Sequence, residues 1–267
     1  MKLFIDSAIL SEIQEVYDFG IIDGVTTNPS LLHKAKEAME GKVDLAGYLK
    51  KILETAKGTP VSLEVTETSE AKMVSEGKKL FKRFNPVANN VWIKIPVHTS
   101  VQEGQANTDG IRAIKQLAEV GIPVNCTLVF TPEQALLAAK AGATVVSPFA
   151  GRIDDYIRTN HDVEFKKSDY YPAMGWQDNQ HTLEDNGIVS GVELVKQCKR
   201  LLDSYGLRTG VLAASLRNPR QVREAALVGA DIATIPYPVI TELLKHPKTV
   251  EGMKAFMKDV VPEYKKL

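Results

Sequence analysis

The sequence predicts a single α/β domain over residues 1–267, built as a (β/α)8 TIM barrel. Three observations carry that expectation. Eight short apolar, β-branched runs recur along the chain, and most of the intervals between them carry the marks of a capped amphipathic helix. The runs are almost continuously apolar, as parallel strands covered by helices must be. Polar residues stand at nearly every run's C-terminal end, where barrel strands converge on one mouth. The length suits one such barrel of about 250 residues. Eight equal units need no edge strand, although a doubly wound open sheet fits the same periodicity and remains the competing architecture. No G-x-G-x-x-G follows the first run and no P-loop pattern is present, which weakens the nucleotide-binding form of that open sheet.

The elements follow in order. The first run spans residues 3–5. Behind it Ile9, Ile13 and Val16 share a helix face that Gly20 can end. The second run, 24–27, is followed by a long spacer over 33–58, read as a short helix and then a second one over 45–53. Runs three and four cover 61–65 and 91–97. Ile111, Ile114, Leu117 and Ala118 form the stripe of a helix closed by Gly121, ahead of run five at 124–130. Thr131-Pro132-Glu133-Gln134 supplies an N-cap, a first-turn proline and a capping-box glutamine for the next helix, which Gly142 closes. Run six spans 144–149. Run seven, 210–214, leads into Asn218-Pro219-Arg220-Gln221, the same capping device, with a stop near Gly229. Run eight is 231–235. An amphipathic helix over about 249–264, with Val250, Met253, Phe256, Met257 and Val260 on its apolar side, ends the chain.

One connection breaks the rhythm. Residues 189–202 read as a helix (Val192, Leu194, Val195, Cys198). The polar and aromatic stretch before it, about 154–188, is predicted to leave the barrel after strand six at the C-terminal rim. It would either cover the mouth or form a plain surface insertion.

Lys+Arg and Asp+Glu each total 33, so the formal net charge is zero. A neutral chain offers no electrostatic case for nucleic acid or an anionic membrane surface as partner, and any basic site must be local. Cys126 and Cys198 form no CxxC or Cys/His pattern, which fits a reducing, cytoplasmic setting. Asp6 interrupts the first apolar run too early for a signal peptide. No apolar stretch approaches the roughly 18 residues of a membrane span. Without a secretory signal the Asn125-Cys126-Thr127 sequon reads as coincidence. His33, His98, His161, His181 and His246 are scattered with no ligand spacing, so no metal site is expected, and no G-x-S-x-G elbow is present.

The polar residues that interrupt apolar strand ends are Asp6, Asn28, Glu64, Lys94, Asn125, Thr127, Ser147 and Ser215. Lys94, inside Val91-Trp92-Ile93-Lys94-Ile95-Pro96-Val97, is the sharpest. A lysine in an apolar strand carries a desolvation cost unless it is paired or deprotonated, and a free amine is a nucleophile toward a carbonyl. Its plain alternative is an amine snorkelling to water between strand and helix. Asp6 and Glu64 are the carboxylates placed for proton transfer. Asp6 could equally cap a helix, as could Asn28 in Asn28-Pro29-Ser30. Thr127 could be an ordinary β-branched strand residue, and Ser147 could cap a turn before Pro148. Arg217 follows run seven and opens a helix, where barrels often bind phosphate; Arg152 after run six could supply a second guanidinium. Their alternative is two solvated arginines.

Taken together, Asp6, Gly24-Val25-Thr26-Thr27-Asn28-Pro29-Ser30-Leu31, Val91-Trp92-Ile93-Lys94-Ile95-Pro96, Asn125-Cys126-Thr127-Leu128-Val129-Phe130, Ser147-Pro148-Phe149-Ala150-Gly151-Arg152 and Ala214-Ser215-Leu216-Arg217-Asn218 resemble transaldolase motifs. The match runs in order from residue 3 to about 245. The resemblance implies a Schiff-base transferase of the pentose phosphate pathway acting on sugar phosphates. In that reading Lys94 is the Schiff-base lysine, Asp6 the acid/base at the C4 hydroxyl, and Glu64 with Thr127 the pair that activates a water. It implies that Asn28, Asn125 and Ser147 hold the dihydroxyacetone unit, and that Arg152, Ser215 and Arg217 bind phosphate. Fructose-6-phosphate aldolases of the same family, the alternative, are expected to carry Gln in place of Glu64 and Tyr in place of Phe149. Both positions are of the transaldolase type here. The iminium serves as electron sink, so no cofactor is expected. A homo-oligomer is expected, and the long segment after residue 154 departs from the short members.

Overall fold

Eight parallel strands close on themselves in the computed structural model, which describes residues 1–38, 44–102, 104–178 and 181–266. They are β1 (Lys2–Asp6), β2 (Gly24–Thr26), β3 (Val61–Glu64), β4 (Val91–Pro96), β5 (Val124–Val129), β6 (Val145–Pro148), β9 (Gly210–Ala213) and β10 (Ile232–Ile235). A small hairpin, β7 (Gln177–Asp178) and β8 (His181–Thr182), stands apart from them. The circular order β1-β10-β9-β6-β5-β4-β3-β2 leaves no edge, which decides the barrel over the open sheet. All eight predicted runs are barrel strands.

The helices are α1 (Leu10–Asp18), α2 (Pro29–Ala38), α3 (Leu45–Thr55), α4 (Glu70–Ala88), α5 (Asp109–Glu119), α6 (Pro132–Lys140), α7 (Ala150–Asn160), α8 (Gly191–Ser204), α9 (Pro219–Leu227), α10 (Tyr237–Glu242) and α11 (Pro247–Lys258). The capping box at Thr131 and Gln134 forms in full, and the Asn218 side chain accepts from the Gln221 amide. Helix α4, not named in the sequence reading, buries the stripe Met73, Val74, Gly77 and Phe84 and carries Pro86 near its C-terminal end. The spacer at 33–58 holds α2 and α3, and its residues 39–43 lie outside the described ones.

Alternation along the strands separates two cores. The outer one, between barrel and helices, holds Val61, Leu63, Ile93, Ile95, Val124 and Cys126 against Ile52, Met73, Ile114 and Leu117. The inner one is an apolar plug of Phe4, Val145, Leu212, Ala214 and Ile232, with Trp92 and Phe149 packed on it. The rings of Phe4 and Trp92 lie 6.2 Å apart although β1 and β4 are not neighbours, so they meet through the lumen. Gly24 makes room for that meeting: a Cβ there would stand 2.6 Å from the Phe4 ring. Two residues beyond Phe4, Trp92, Val145 and Ile232 come Asp6, Lys94, Ser147 and Thr234, all lining one cleft above the plug.

Two boundaries differ from the sequence reading. The excursion, expected at about 154–188, starts later: residues 154–160 complete α7, and the departure runs from 161 to 190, with residues 179 and 180 outside the described ones. Asp154 is buried for a reason. Its Oδ1 accepts from the Gly191 amide at 2.6 Å and its Oδ2 from Gln221 Nε2 at 2.8 Å, tying α7 to the starts of α8 and α9. The C-terminal helix, expected at about 249–264, is α11 followed by a 3-10 turn (Pro262–Lys266). None of the residues of α11 is buried, and Phe256 and Met257 are both 71% exposed.

Asp154 makes stability depend on pH. Burial lifts its carboxyl from the ordinary 3.8 to about 7. The folded state therefore binds the proton more tightly than the unfolded one. This contribution is full below 3.8 and is lost as pH rises through about 7. Asp154→Ala strands two buried donors and is expected to cost about 2–3 kcal/mol in denaturant unfolding. It should also flatten the pH dependence of stability between pH 4 and 7; an equally steep profile in the variant would refute this account.

Candidate active site

Lys94 points into the lumen and is 5% exposed. Parallel pairing of β3 and β4 sets Glu64 opposite it, and the Glu64 carboxylate lies 3.1 Å from Nζ. Nζ also donates to the Thr27 carbonyl at 3.3 Å. The snorkelling alternative is thus excluded: the amine has no route to water through the outer layer, and its charge is met by a carboxylate inside the barrel.

Asp6 shares the cleft. It caps no helix: the N-cap of α1 is Ile9, which makes no side-chain cap bond, and Ser7 ahead of it accepts from the Ile9 amide. The Asp6 Oδ1 instead accepts from the Thr26 hydroxyl at 2.7 Å, and Thr26 Oγ1 lies 2.6 Å from Thr234 Oγ1. Burial raises the Asp6 carboxyl above its ordinary value, opposed by the charge of Lys94, the Thr26 hydroxyl and the charge of Arg152.

A second polar chain crosses the lumen. The Ser147 hydroxyl donates to Asn125 Oδ1 at 2.6 Å, and Asn125 Nδ2 donates to Ser62 Oγ at 3.1 Å. Asn28 does cap a helix, accepting from the Leu31 amide through Oδ1 at 2.9 Å, and it lines the cleft as well. With the oxygen so used, its Nδ2 donor is what remains for a ligand. Thr127 is 1% exposed, and its hydroxyl is buried without a protein partner among the described residues. A bulge follows it: Leu128 has φ 58° and the β5–β6 register shifts between Cys126 and Val129. Cys126 and Val129 both pack outward although three positions apart, so the bulge absorbs the odd residue while Asn125 and Thr127 keep facing inward.

The rim after β6 and β9 carries the arginines. Arg152 lines the cleft with its guanidinium 5.0 Å from the Phe149 ring centroid, and no carboxylate stands within ion-pair distance of it among the described residues. Ser215 lines the same wall in a left-handed conformation, φ 62°. Gly151 is obligatory there: a Cβ would lie 2.3 Å from the Ser215 carbonyl and 2.8 Å from Arg217 Nε. Arg217 itself does not line the cleft. Both of its terminal nitrogens donate to Asp155, at 2.6 and 2.5 Å, and one also reaches the Lys167 carbonyl at 3.2 Å. The excursion thus touches the rim through Lys167 but contributes no residue to the cleft. The cleft has a volume of about 90 Å³ and is partly open to solvent.

The family model described as transaldolase/fructose-6-phosphate aldolase matches residues 3–266. The chain belongs to that family. It is 43% identical over 261 residues to a protein named "Probable transaldolase" from Chlorobaculum parvum, spanning 97% of each chain. A protein of the same name from Thermoplasma volcanium is 40% identical over 97% of this chain and 95% of its own. Another, from a Sulfurihydrogenibium species, is 39% identical over 98% and 99%. As a member of the transaldolase/fructose-6-phosphate aldolase family the chain is an enzyme.

Of the predicted site residues, Asp6, Asn28, Lys94, Asn125, Ser147, Phe149, Arg152 and Ser215 line one cleft. Glu64 joins through Lys94, Thr127 lies buried alongside on β5, and Arg217 stands off on Asp155. Sequence reasoning missed Ser62, Thr26, Thr234 and Asp155 as partners. Thr26 and Thr234 are β-branched residues inside apolar strands, with nothing to mark them as inward until the register is known. The inward parity of β1 and β2, fixed by Asp6 and by Gly24 beneath Phe4, was the signal available. Among the described residues no helix is long and apolar enough to cross a membrane, and no group of three or more His, Cys, Asp or Glu could hold a metal ion.

Gly151→Ala places a methyl against backbone that cannot yield. It is expected to lower unfolding free energy by about 2–3 kcal/mol by forcing the loops after β6 and β9 apart. A variant as stable as the parent in urea would show that this close approach does not matter.

Proposed function

We propose that the enzyme is a transaldolase, moving a dihydroxyacetone unit from a ketose phosphate to an aldose phosphate through a Schiff base on Lys94. The observation that carries this reading is the amine of Lys94, enclosed by the barrel, paired with Glu64 and sharing a cleft with Asp6. The sequence likeness to proteins named probable transaldolase supports it.

In this mechanism the ketose lies with its C2 carbonyl at Lys94 and its phosphate toward Arg152 and Ser215. Glu64, 3.1 Å from Nζ, takes a proton from the ammonium, and the free amine adds to C2. Glu64 and the otherwise unpartnered Thr127 hydroxyl, through a water, then protonate the departing C2 hydroxyl, and the iminium forms as water leaves. Asp6 as carboxylate removes the C4 hydroxyl proton. The C3–C4 bond breaks, its electron pair passes into the iminium, and an aldose phosphate departs. The remaining enamine attacks the aldehyde of the acceptor, Asp6 returns its proton to the new hydroxyl, and hydrolysis frees Lys94. The Nδ2 of Asn28 and the Asn125–Ser147 chain fit the hydroxyls of the three-carbon unit. Arg217 would have to turn partly from Asp155 to add its guanidinium to the phosphate.

Borohydride reduction in the presence of fructose 6-phosphate, followed by peptide mapping, is expected to label Lys94 alone. A label elsewhere, or none, would overturn the mechanism. Lys94→Met should fold normally, take no label and lose turnover. With erythrose 4-phosphate present, sedoheptulose 7-phosphate should form with little free dihydroxyacetone; release of dihydroxyacetone as the main product would make the enzyme a fructose-6-phosphate aldolase instead. Arg217→Ala should raise KM for phosphorylated donors roughly tenfold or more while leaving unphosphorylated ones nearly unchanged. Equal loss for both classes would remove Arg217 from the phosphate site.

A further inference from the structure

We propose that Thr234 is a positioning residue for Asp6, acting through Thr26 by a one-way chain of hydroxyl protons. The inference rests on the reading of Asp6 as the acid/base.

The argument is a count of protons. Thr26 Oγ1 touches two oxygens, Asp6 Oδ1 at 2.7 Å and Thr234 Oγ1 at 2.6 Å, and it has one proton. An ionised carboxylate can only accept. While Asp6 is charged, the Thr26 proton is committed to it, and the Thr26–Thr234 contact closes only if Thr234 donates. Thr234 Oγ1 has no other hydrogen-bond partner among the described residues, so its proton has one destination. Thr26 and Thr234 line the cleft but are only 2% and 3% exposed, which leaves bulk water little access to either hydroxyl. When Asp6 takes up the C4 proton on Oδ2, its Oδ1 still accepts from Thr26 and the chain keeps its direction. Both protonation states keep a closed chain, and Asp6 need not swing between acting as base and as acid.

The strand register builds this chain. Thr234 pairs with Phe4 on β1, and Asp6 pairs with Thr26 on β2, so hydroxyls from both neighbouring strands converge beneath the carboxyl. No titratable side chain stands on β2 or β10. Helix α10, which also packs on β1, offers Tyr237 and Glu242 on the outer layer. Across the lumen Asp6 faces Lys94, itself paired with Glu64, and Arg152. The charges that tune Asp6 therefore all come from the far side, and the hydroxyl chain is the support from its own side.

Thr234→Val keeps shape and β-branching and deletes one proton. It is expected to lower kcat roughly 3- to 10-fold with KM for fructose 6-phosphate changed less than about twofold. The acid limb of the kcat profile should move up by roughly half to one pH unit, because a charged Asp6 loses support that a neutral one does not need. Thr234→Ser should restore rate and limb together. A normal limb together with an unmoved Asp6 titration in Thr234→Val, or a Thr234→Ser variant as impaired as Thr234→Val, would overturn the proposal. Direct titration of the Asp6 carboxyl by carbon NMR in both variants separates it from the reading beneath. If that titration moves up while the kcat limb does not, the hydroxyl chain stands and Asp6 is not the base. If the Asp6 titration is unmoved in Thr234→Val, the chain itself is refuted.

Discussion

A pair of opposite charges inside hydrocarbon governs this molecule. Each ion taken from water costs several kcal/mol, and the cost is tolerable only where partners stand ready. Lys94 meets Glu64 at 3.1 Å and the Thr27 carbonyl at 3.3 Å. Every other polar group of the lumen then needs a partner too. The two chains, Thr234–Thr26–Asp6 and Ser147–Asn125–Ser62, meet that demand with neutral hydroxyl and amide groups. Thr127 stands out because its hydroxyl has no such partner among the described residues.

The barrel holds these groups in place by layering. A plug around Phe4 and Trp92 fills the lower lumen, so the polar layer above it rests on close-packed side chains rather than on water. Because inward residues recur every second position, one register places plug and cleft together: a shift of one residue in β4 would turn Lys94 outward and Ile93 inward. The bulge at Leu128 shows the same constraint from the other side, since the chain accepts a left-handed leucine there to keep both faces of β5 in phase.

Much of the site was legible because polar residues are conspicuous in apolar strands. Lys94 between Ile93 and Ile95, and Glu64 after Leu63, stand out against their neighbours. Ser62, Thr26 and Thr234 do not, because a small hydroxyl residue suits either face of a strand. Asp154 and Asp155 sit side by side in α7 and look alike in sequence, yet one is buried under α8 and α9 and the other holds Arg217 at the rim. The excursion was placed too early because its aromatic residues begin within α7: Tyr156 is half-exposed on that helix, while Tyr171 packs 1% exposed beneath the excursion. The apolar stripe of the C-terminal helix was visible, but periodicity cannot say whether a stripe is covered, and α11 buries none of its residues.

By itself the sequence determined the number of βα units, the caps that start α6 and α9, and the residues whose chemistry is out of place in a strand. Those are local properties, set by side-chain type and by periods of two and 3.6. The tertiary structure decided closure over an open sheet, the lumenal side for Lys94, the hydroxyl partners of Asp6, and the tie between Arg217 and Asp155. Each of these joins residues distant in the chain, and only the register of strands brought together by closure fixes which of them meet.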